Sequence, residues 1–559
     1  MKKIAIVALA AAATFITSCD IERMPYDKYT EDKIMEDKDA AVDVLLNGCY
    51  AKLKTASEHL HYCGEFPGDN VCKDKPTTNP FGTYFTYQHT VNNGGLSTVW
   101  NSAYNIISQT SSLMKMINEN ESPELNQKLG EAYYMRGMMY FYLCRVFGRP
   151  YYQEPEKNLG VPIVNGMPED MDNLDLPDRS SVKDTYEQVL SDLKKAEELM
   201  SDFKSPAYAS KYAAQALLAK VYMYMSGTFE NPNKEYAQLS YNYANEVIES
   251  NQFSLLSRST FMTYNELAPD AASQTETIFA VKFIASDWDD WGSPLGSMYA
   301  EIDGQGWGEV YASAKYMDLL HETGKNTDAR EAFIHPQYKK NDAGDQIPAF
   351  RFVANLYTDG KISGYVYRQG ETKEVGGKLI ATVDDEEYTL TPVDVDNKRY
   401  SISYKGKTYV GDYDYLMLES QGNPKFYSYK CSKQEGYPHL YSPVISRLGE
   451  LYLIRAEASA KLGNYTKALA DLNTVRTRSL PNAGYATNAH ELIMKERQLE
   501  LAYEADRGFD VYRVGDTMKR HYPGFHDGVP EYPATSPLAI QYIPQSEINA
   551  YPGTLTQNP

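Results

Sequence analysis

The sequence predicts a mostly α-helical protein, in which a helical-repeat scaffold carries an irregular, loop-rich subdomain and a small β-rich insertion. Three observations support this fold class. Apolar residues recur at helical spacing in several successive pairs of segments. The apolar period changes from 3.6 to 2 between about residues 336 and 415. Stretches rich in Gly, Asn, Pro and Tyr separate these regions and are typical of long loops.

Length and charge exclude several classes of protein. The chain has 559 residues, enough for a large core, and a formal net charge of −20. An acidic protein repels phosphate backbones and anionic lipids, so we expect no nucleic-acid partner. Tyr supplies 48 of the aromatic side chains and Trp only four, which makes the position of each Trp the more informative observation.

The N-terminus has the pattern of a secretory signal peptide over residues 1–18. Two Lys precede an uncharged, Ala-rich stretch at residues 4–16, which spans only about 20 Å as a helix, too short for a bilayer core of about 30 Å. Small residues directly before Cys19 resemble a bacterial lipobox and predict that Cys19 is the lipidated N-terminus. An ordinary signal peptide with a chance Cys is the alternative.

The N-terminal third predicts helices at residues 40–55 and 97–118, separated by a loop at about residues 64–95. The helical register of Trp100 predicts that its ring lies in the core. Cys63 and Cys72 could pair across the loop, but spacing alone does not decide this.

A repeat of paired helices is the most informative pattern. Residues 450–478 match a tetratricopeptide unit, in which Gly463 supplies a turn with positive φ and Tyr465 is expected to fill the helix crossing. Weaker pairs are predicted at residues 208–225 with 234–249, 131–147 with 182–200, and 490–503 with 508–514. Dispersed units of this kind build a curved scaffold that presents its insertions on one side.

Within the β-rich insertion, turn signals separate segments of alternating polarity. The predicted strands are residues 351–357, 362–367, 378–383, 400–404 and 407–410.

Catalytic motifs are missing from the sequence. It contains no P-loop, no G-x-S-x-G and no H-E-x-x-H, and the Gly-rich run at residues 304–308 lacks the spacing and strand-to-helix frame of a phosphate loop. A glycosidase pair of carboxylates has no fixed separation, so the sequence leaves that reaction open. We expect no cofactor, while a Ca²⁺ ion that orders a loop stays open.

Three of the four Trp lie in one polar, Gly-rich region, and an indole with nearby carboxylates or amides matches the apolar faces and polar edges of sugars. The alternative is that these rings anchor long loops. A second aromatic cluster, around Tyr84, offers another surface or a short strand. The predicted ligand-binding residues are Trp288, Trp291, Trp307, Asp289, Asp290, Asp69, Asn70 and Tyr84.

Four further blocks are informative together. They are residues 442–458, residues 493–504 with the following Arg507, Asp510 and Arg513, the tail at 543–559, and residues 133–148. With the lipobox, these motifs resemble those of SusD/RagB-like outer-membrane lipoproteins.

The resemblance implies a lipoprotein anchored in the outer membrane by its lipid alone and facing the cell exterior. It implies a non-enzymatic protein that captures an oligosaccharide or polysaccharide and passes it to a SusC-like TonB-dependent transporter. It also implies that Arg455, Glu457, Arg497 and Glu500 form buried ion pairs or repeat contacts of the scaffold and do not contact the ligand. We expect helical parts at residues 19–250 and 441–559, flanking a ligand-binding subdomain at residues 251–440. A surface glycoside hydrolase and a protein-interaction scaffold without sugar binding are the alternatives.

Overall fold

The computed structural model describes residues 38–73, 81–164, 166, 174–288, 294–526 and 530–559. The chain divides into residues 1–45, of which 38–45 begin a helix, and a second unit of residues 46–559. Helices hold 43% of the residues and strands 19%, so the β component is larger than the small insertion we predicted. Four of the predicted functional residues lie outside the described residues: Cys19, Asp289, Asp290 and Trp291.

Helices occur along the whole described chain. The α-helices are α1 Lys38–Glu65, α2 Gly82–Thr86, α3 Gly94–Met116, α4 Pro123–Phe147, α5 Val182–Leu199, α6 Lys211–Met225, α7 Lys234–Glu249, α8 Arg258–Phe261, α9 Pro294–Tyr299, α10 Ala314–Leu320, α11 Leu448–Lys461, α12 Tyr465–Ser479, α13 His490–Glu500, α14 Arg507–Arg513 and α15 Gln545–Ala550. Short 3₁₀ helices are Tyr264–Glu266, Ala285–Asp287, Ala329–Phe333, Gln434–Gly436 and Pro537–Ala539.

Three of the four predicted repeat pairs, α4 with α5, α6 with α7 and α11 with α12, are confirmed as packed helices in one series: α3, α4, α5, α6, α7, α11 and α12 each contact the next. Polar side chains cap the N-termini of several of these helices. Ser122 caps α4, with Pro123 at its first turn, and Ser210 caps α6. Gly463 has φ +83°, as the turn between α11 and α12 requires.

The role predicted for Tyr465 is wrong. Its side chain is 62% exposed because Tyr465 is the first residue of α12, where the ring points to solvent. The crossing is filled by smaller apolar side chains further along the helices, among them Leu453 and Ala456 of α11 and Leu472 and Val475 of α12. These residues bring the two helix backbones close together.

The N-terminal loop contains more structure than predicted. Strand Val71–Lys73 and helix α2 both form within it, and α3 begins earlier than expected because the Asn93 side chain accepts from the backbone N–H groups of Gly95 and Leu96. Trp100 is buried, which confirms its predicted place in the core. Cys63 and Cys72 are both thiols, so no disulfide joins them.

Strands are numbered along the chain. They are β1 Val71–Lys73, β2 Thr277–Ala280, β3 Val310–Ala312, β4 Ile334–Pro336, β5 Pro348–Thr358, β6 Lys361–Val375, β7 Lys378–Val383, β8 Glu386–Thr389, β9 Thr391–Asp394, β10 Arg399–Tyr404, β11 Lys407–Tyr415, β12 Glu419–Ser420, β13 Asn423–Pro424, β14 Phe426–Ser428, β15 Val444–Arg447, β16 Thr517–Lys519 and β17 Glu531–Pro533. Five antiparallel pairs lie outside the main sheet: β1–β3, β2–β15, β4–β14, β12–β13 and β16–β17.

The main sheet has seven antiparallel strands in the order β8-β7-β6-β5-β11-β10-β9. Its two edge strands, β8 and β9, are separated in the chain by Leu390 alone, so the sheet curls back on itself; we call it the curled sheet. Phe350 and Phe352 of β5 lie in the core inside the curl. Opposite them lie Gly370 and Gly411, where a Cβ would fall within about 2 Å of a backbone oxygen, so only glycine allows this approach.

The outer face of the curled sheet packs on the rest of the protein. Tyr367 and Val353, which are opposite each other in β6 and β5, contact a cluster that includes Tyr311, Ala314 and Tyr427. The sheet is therefore seated beside α10 and β14, and the space between them becomes a cavity described below.

Buried ion pairs run through the C-terminal helices, as the resemblance implied. Arg455 pairs with Asp471, and Glu457 with Arg513. Arg497 pairs with Asp510. Glu500 accepts from Arg447 at 2.6 Å and from Arg478. These signature residues hold elements of the scaffold together.

Candidate functional site

Two loop segments and one turn bring exposed aromatic rings to the surface of the loop-rich region. We define this aromatic surface by Trp288, Trp307 and Tyr437. Trp288 follows the 3₁₀ helix Ala285–Asp287, Trp307 lies between α9 and β3, and Tyr437 follows the 3₁₀ helix Gln434–Gly436.

Trp307 lies on a loop whose backbone requires glycine. Gly304, Gly306 and Gly308 all have positive φ. A Cβ on Gly306 would lie 2.5 Å from the Ala300 carbonyl oxygen, so the loop tolerates no side chain there. The Trp307 N–H donates to the Ser297 carbonyl at 2.8 Å, which ties the loop to α9. The Trp307 side chain is 59% exposed, a large apolar area for a fixed loop to present.

Trp288 and Tyr437 form a ring pair. Their centroids are 5.2 Å apart and their planes make an angle of 57°. The segment that carries Trp288 is held in place by Asp287, whose carboxylate accepts from the Ile284 N–H at 2.8 Å and from Lys54 at 2.6 Å. Both rings are partly exposed.

The turn at residues 433–439 connects the two aromatic segments. Gln434 donates through Nε2 to the Phe283 carbonyl at 3.0 Å, beside the Trp288 segment. His439 Nε2 lies 2.9 Å from the Gln305 carbonyl, and since a carbonyl only accepts, this nitrogen carries the proton. Burial lowers the pKa of His439, so the imidazole is neutral and acts as a fixed strut under the Trp307 loop.

This arrangement suits stacking on a ring better than bond cleavage. Asp303, on the same loop as Trp307, is exposed and offers a carboxylate to hydroxyl groups. Trp288 Nε1 and Gln305 Oε1 are buried and make no hydrogen bond to any residue that the structure describes. Within the same residues, no group of three or more His, Cys, Asp or Glu side chains is placed to hold a metal ion.

Asp69, Asn70 and Tyr84 are placed inside the protein, which corrects our expectation that they contact a ligand. Asp69 is fully buried, where Arg507 donates to it at 2.6 Å and Lys315 also donates. Burial alone would raise the pKa of Asp69, but these two cations hold it well below its usual range.

The other two residues have equally enclosed surroundings. Asn70 donates to Glu65 at 3.1 Å. Tyr84 is buried with its hydroxyl 3.7 Å from Cys63 Sγ, and burial raises its pKa well above the usual value. Tyr84 lies in α2, whose neighbours Phe85 and Tyr87 are also buried, so this aromatic cluster is core and not a second surface.

Sequence reasoning missed Tyr437, Gln305 and His439. They lie in short turns without periodicity, and nothing in the sequence indicates that residues 433–439 fold against residues 303–308. The Gly-Tyr-Pro run at 436–438 predicts a turn, but a turn signal does not say which surface it joins.

Comparison with family models decides the relationship. The SusD family model matches residues 275–559, more than half of the chain. This chain belongs to the SusD family. A second model of SusD-like proteins, described as starch-binding and associating with the outer membrane, matches residues 22–223.

Similar proteins agree with this assignment across most of the chain. SusD-like protein P2 of Formosa agariphila is 24% identical over 539 residues, covering 92% of this SusD-family chain and 91% of the relative. A SusD superfamily protein from Bacteroides thetaiotaomicron has a TM-score of 0.69 at 24% identity, with 93% and 99% of the two chains covered.

A SusD-like carbohydrate binding protein from Bacteroides vulgatus has a TM-score of 0.62 at 16% identity, with 92% and 97% covered. At such identities the likeness shows the fold. The family description associates SusD-like proteins with the outer membrane. Among the helices that the structure describes, none is long and apolar enough to cross a bilayer.

Proposed function

We propose that this SusD-family protein is a cell-surface lipoprotein that binds an oligosaccharide or polysaccharide and passes it to a SusC-like TonB-dependent transporter. Membership of the family supports the role, since one matching model is described as starch-binding and one similar structure as a carbohydrate binding protein. The aromatic surface supplies the binding groups, and no covalent chemistry is assigned to it.

One observation carries the proposal: the Trp307 ring is exposed on an ordered loop. Three glycines with positive φ allow the conformation of this loop, and hydrogen bonds to Ser297 and His439 hold it. Sugar rings have apolar C–H faces that pack on an indole, and a loop that is already ordered loses little entropy on binding. Trp288 with Tyr437 offers a second ring contact. Trp291, Asp289 and Asp290, which follow Trp288 directly in the sequence, stay predicted ligand contacts.

Delivery to the transporter depends on the N-terminus. Lipidation of Cys19 tethers the protein to the outer leaflet, and the net charge of −20 keeps its body away from anionic lipid surfaces. The paired helices supply a large rigid face for a protein partner, while the aromatic surface is left for the sugar.

The test compares two exposed aromatic residues in the mature chain, purified in detergent. Trp307→Ala removes the ring of the proposed site, and Tyr465→Ala removes a ring of similar exposure from α12. Gel retardation by a polysaccharide panel identifies a ligand, and calorimetry then measures affinity. We expect Trp307→Ala to weaken binding by about 1–3 kcal/mol, roughly 5- to 150-fold, and Tyr465→Ala to bind like the parent.

Other results contradict the proposal in distinct ways. If Trp307→Ala binds as tightly as the parent, the aromatic surface is not the binding site. Release of reducing ends from a bound glycan indicates a hydrolase. Co-purification with a transporter, without retardation by any glycan, indicates an interaction scaffold.

A further inference from the structure

A cavity of about 500 Å³ lies between the outer face of the curled sheet and α10, apart from the residues that define the aromatic surface. Its volume is in the range of small-molecule sites. Charged and aromatic side chains line it together. Lys325, Arg351 and Asp414 face the cavity together with the rings of Tyr338, Tyr415 and Phe426.

Arg351 is the distinctive residue of this cavity. It lies on β5 and is only 5% exposed, and its guanidinium carbon lies over the Phe426 ring, 5.0 Å from the ring centre. Its ion pair with Asp414, from Nη2 to Oδ2, is long at 3.7 Å. The buried Nη1 donates to no acceptor among the residues that the structure describes. A buried guanidinium with an unused N–H is costly, and an incoming acceptor would relieve that cost.

Asp414 does not neutralise Arg351 alone, because it serves two other donors. Lys325 donates to its Oδ2 atom at 3.1 Å and the Tyr338 hydroxyl at 3.0 Å. One carboxylate is thus shared between two cations and a hydroxyl. The remaining charges do not change this shortage of acceptors: His321 and Glu331 are paired at 2.8 Å, and Asp396 and Lys398 lie on the exposed loop before β10.

We propose that this cavity binds a sugar unit with an anionic substituent, a carboxylate or a sulfate ester, which accepts from Arg351 and Lys325. The inference rests on the proposed glycan-binding function and narrows its ligand class. Guanidinium groups match the planar oxygen pairs of such anions and hold them with charge-assisted hydrogen bonds. The rings of Tyr338, Tyr415 and Phe426 supply apolar area for the sugar itself.

The ligand test uses three matched oligosaccharide sets of equal length: uronic acid oligosaccharides, their carboxyl-reduced neutral counterparts, and sulfated neutral ones. Calorimetry with the mature chain in detergent measures the affinity for each. We expect at least one anionic set to bind about tenfold or more tightly than the neutral set, as one charge-assisted hydrogen bond gives. The tighter set identifies the anion as carboxylate or sulfate.

Variants that are expected to change anion affinity in opposite directions then locate the site. Arg351→Gln and Lys325→Gln should each weaken binding of the anionic set about tenfold and leave the neutral set unchanged. Asp414→Asn removes the internal competitor and should tighten anion binding severalfold. A merely structural role for these residues would weaken binding in all three variants. Lys373→Gln, at an exposed position of the same sheet, should change nothing.

The outcomes separate the two proposals. Equal affinity for anionic and neutral sets, with Trp307→Ala still impaired, overturns the inference about the cavity and keeps the proposed function. Absence of binding to every set overturns both. If Arg351→Gln fails to fold, Lys325→Gln and Asp414→Asn decide. If either variant changes the affinities for the anionic set and for the neutral set in the same direction, the cavity assignment is overturned.

Discussion

The C-terminal helices and the curled sheet use the same charged residue types in opposite ways. At the start of these helices, Arg447, the last residue of β15, donates to three carboxylates, from Glu276, Glu500 and Glu504, and all four side chains are buried. In the curled sheet, Lys373 and Glu387 pair at 2.5 Å with both side chains 54% exposed. Burial fixes the geometry of the first set and solvent screens the second.

The difference separates scaffold from surface. Loss of one partner from a buried ion network leaves an uncompensated charge, and Arg447, Glu500 and Glu504 of this network lie in the sequence blocks that resemble the family. The exposed pairs and loops can change without cost to the fold. On the proposed function, we expect ligand preference to belong to the loops and the sheet, while the buried pairs belong to the architecture.

The largest expected effect comes from breaking the buried network. Arg447→Met leaves three carboxylates buried without their shared cation. We expect the free energy of unfolding to fall by about 3–5 kcal/mol, measured by urea denaturation at pH 7. The matched control, Arg368→Met on the curled sheet, removes a partly exposed partner of Asp384 and should cost far less. Similar losses in the two variants would contradict the contrast.

An intermediate effect concerns acid stability. Burial alone would raise the pKa of Glu457, but Arg513 and Lys461 outweigh burial and lower it to about 2. The ionised form therefore stabilises the fold above pH 4.5, and this contribution of about 3 kcal/mol is lost as pH falls from 4.5 to 2. The stability difference between the parent and Glu457→Gln should shrink over that range.

Denaturation curves at half-unit pH steps measure this difference. Glu387→Gln provides the control, because its exposed carboxylate should give a difference that stays small at every pH. A Glu457→Gln difference that is constant between pH 5 and pH 2 would show that the carboxylate charge is not the stabilising element.

The smallest effect belongs to the exposed pair. Lys373→Ala should change the free energy of unfolding by less than about 0.5 kcal/mol, since both partners are solvated. Added salt should reduce even that difference. A loss above 1 kcal/mol, measured by the same denaturation, would show that the exposed pair of the curled sheet stabilises the fold as a buried pair does.

Periodicity predicted the parts of the fold that repeat. The helix pairs around Gly463 and the strands at 378–383 and 400–404 follow from local spacing, which the chain carries in itself. Strands β8 and β9 were missed because each is four residues long and mostly exposed, without an apolar face to mark it. Tyr465 was misplaced because a repeat position indicates register and not depth.

The candidate site was less predictable than the scaffold. The clustering of Trp288 and Trp307 in polar sequence indicated a surface, and the structure exposes Trp307 and leaves Trp288 partly exposed. Asp69 was chosen for its loop, yet its neighbours Arg507 and Lys315 are far away in sequence and enclose it. The cavity around Arg351 depends on how the sheet curls against α10, which no local pattern encodes.

The buried thiols have a consequence for how long the protein survives. Thiolate is the reactive form, and burial raises the pKa of Cys49, Cys63 and Cys144 to about 12 each, so the native molecule resists oxidation. When the chain unfolds, these thiols are exposed and return to an ordinary pKa near 8.5. They then form disulfide bridges that the native protein does not have. In an oxidising medium each opening is therefore a chance of permanent inactivation, and the working lifetime is set by the unfolding rate and not by equilibrium stability.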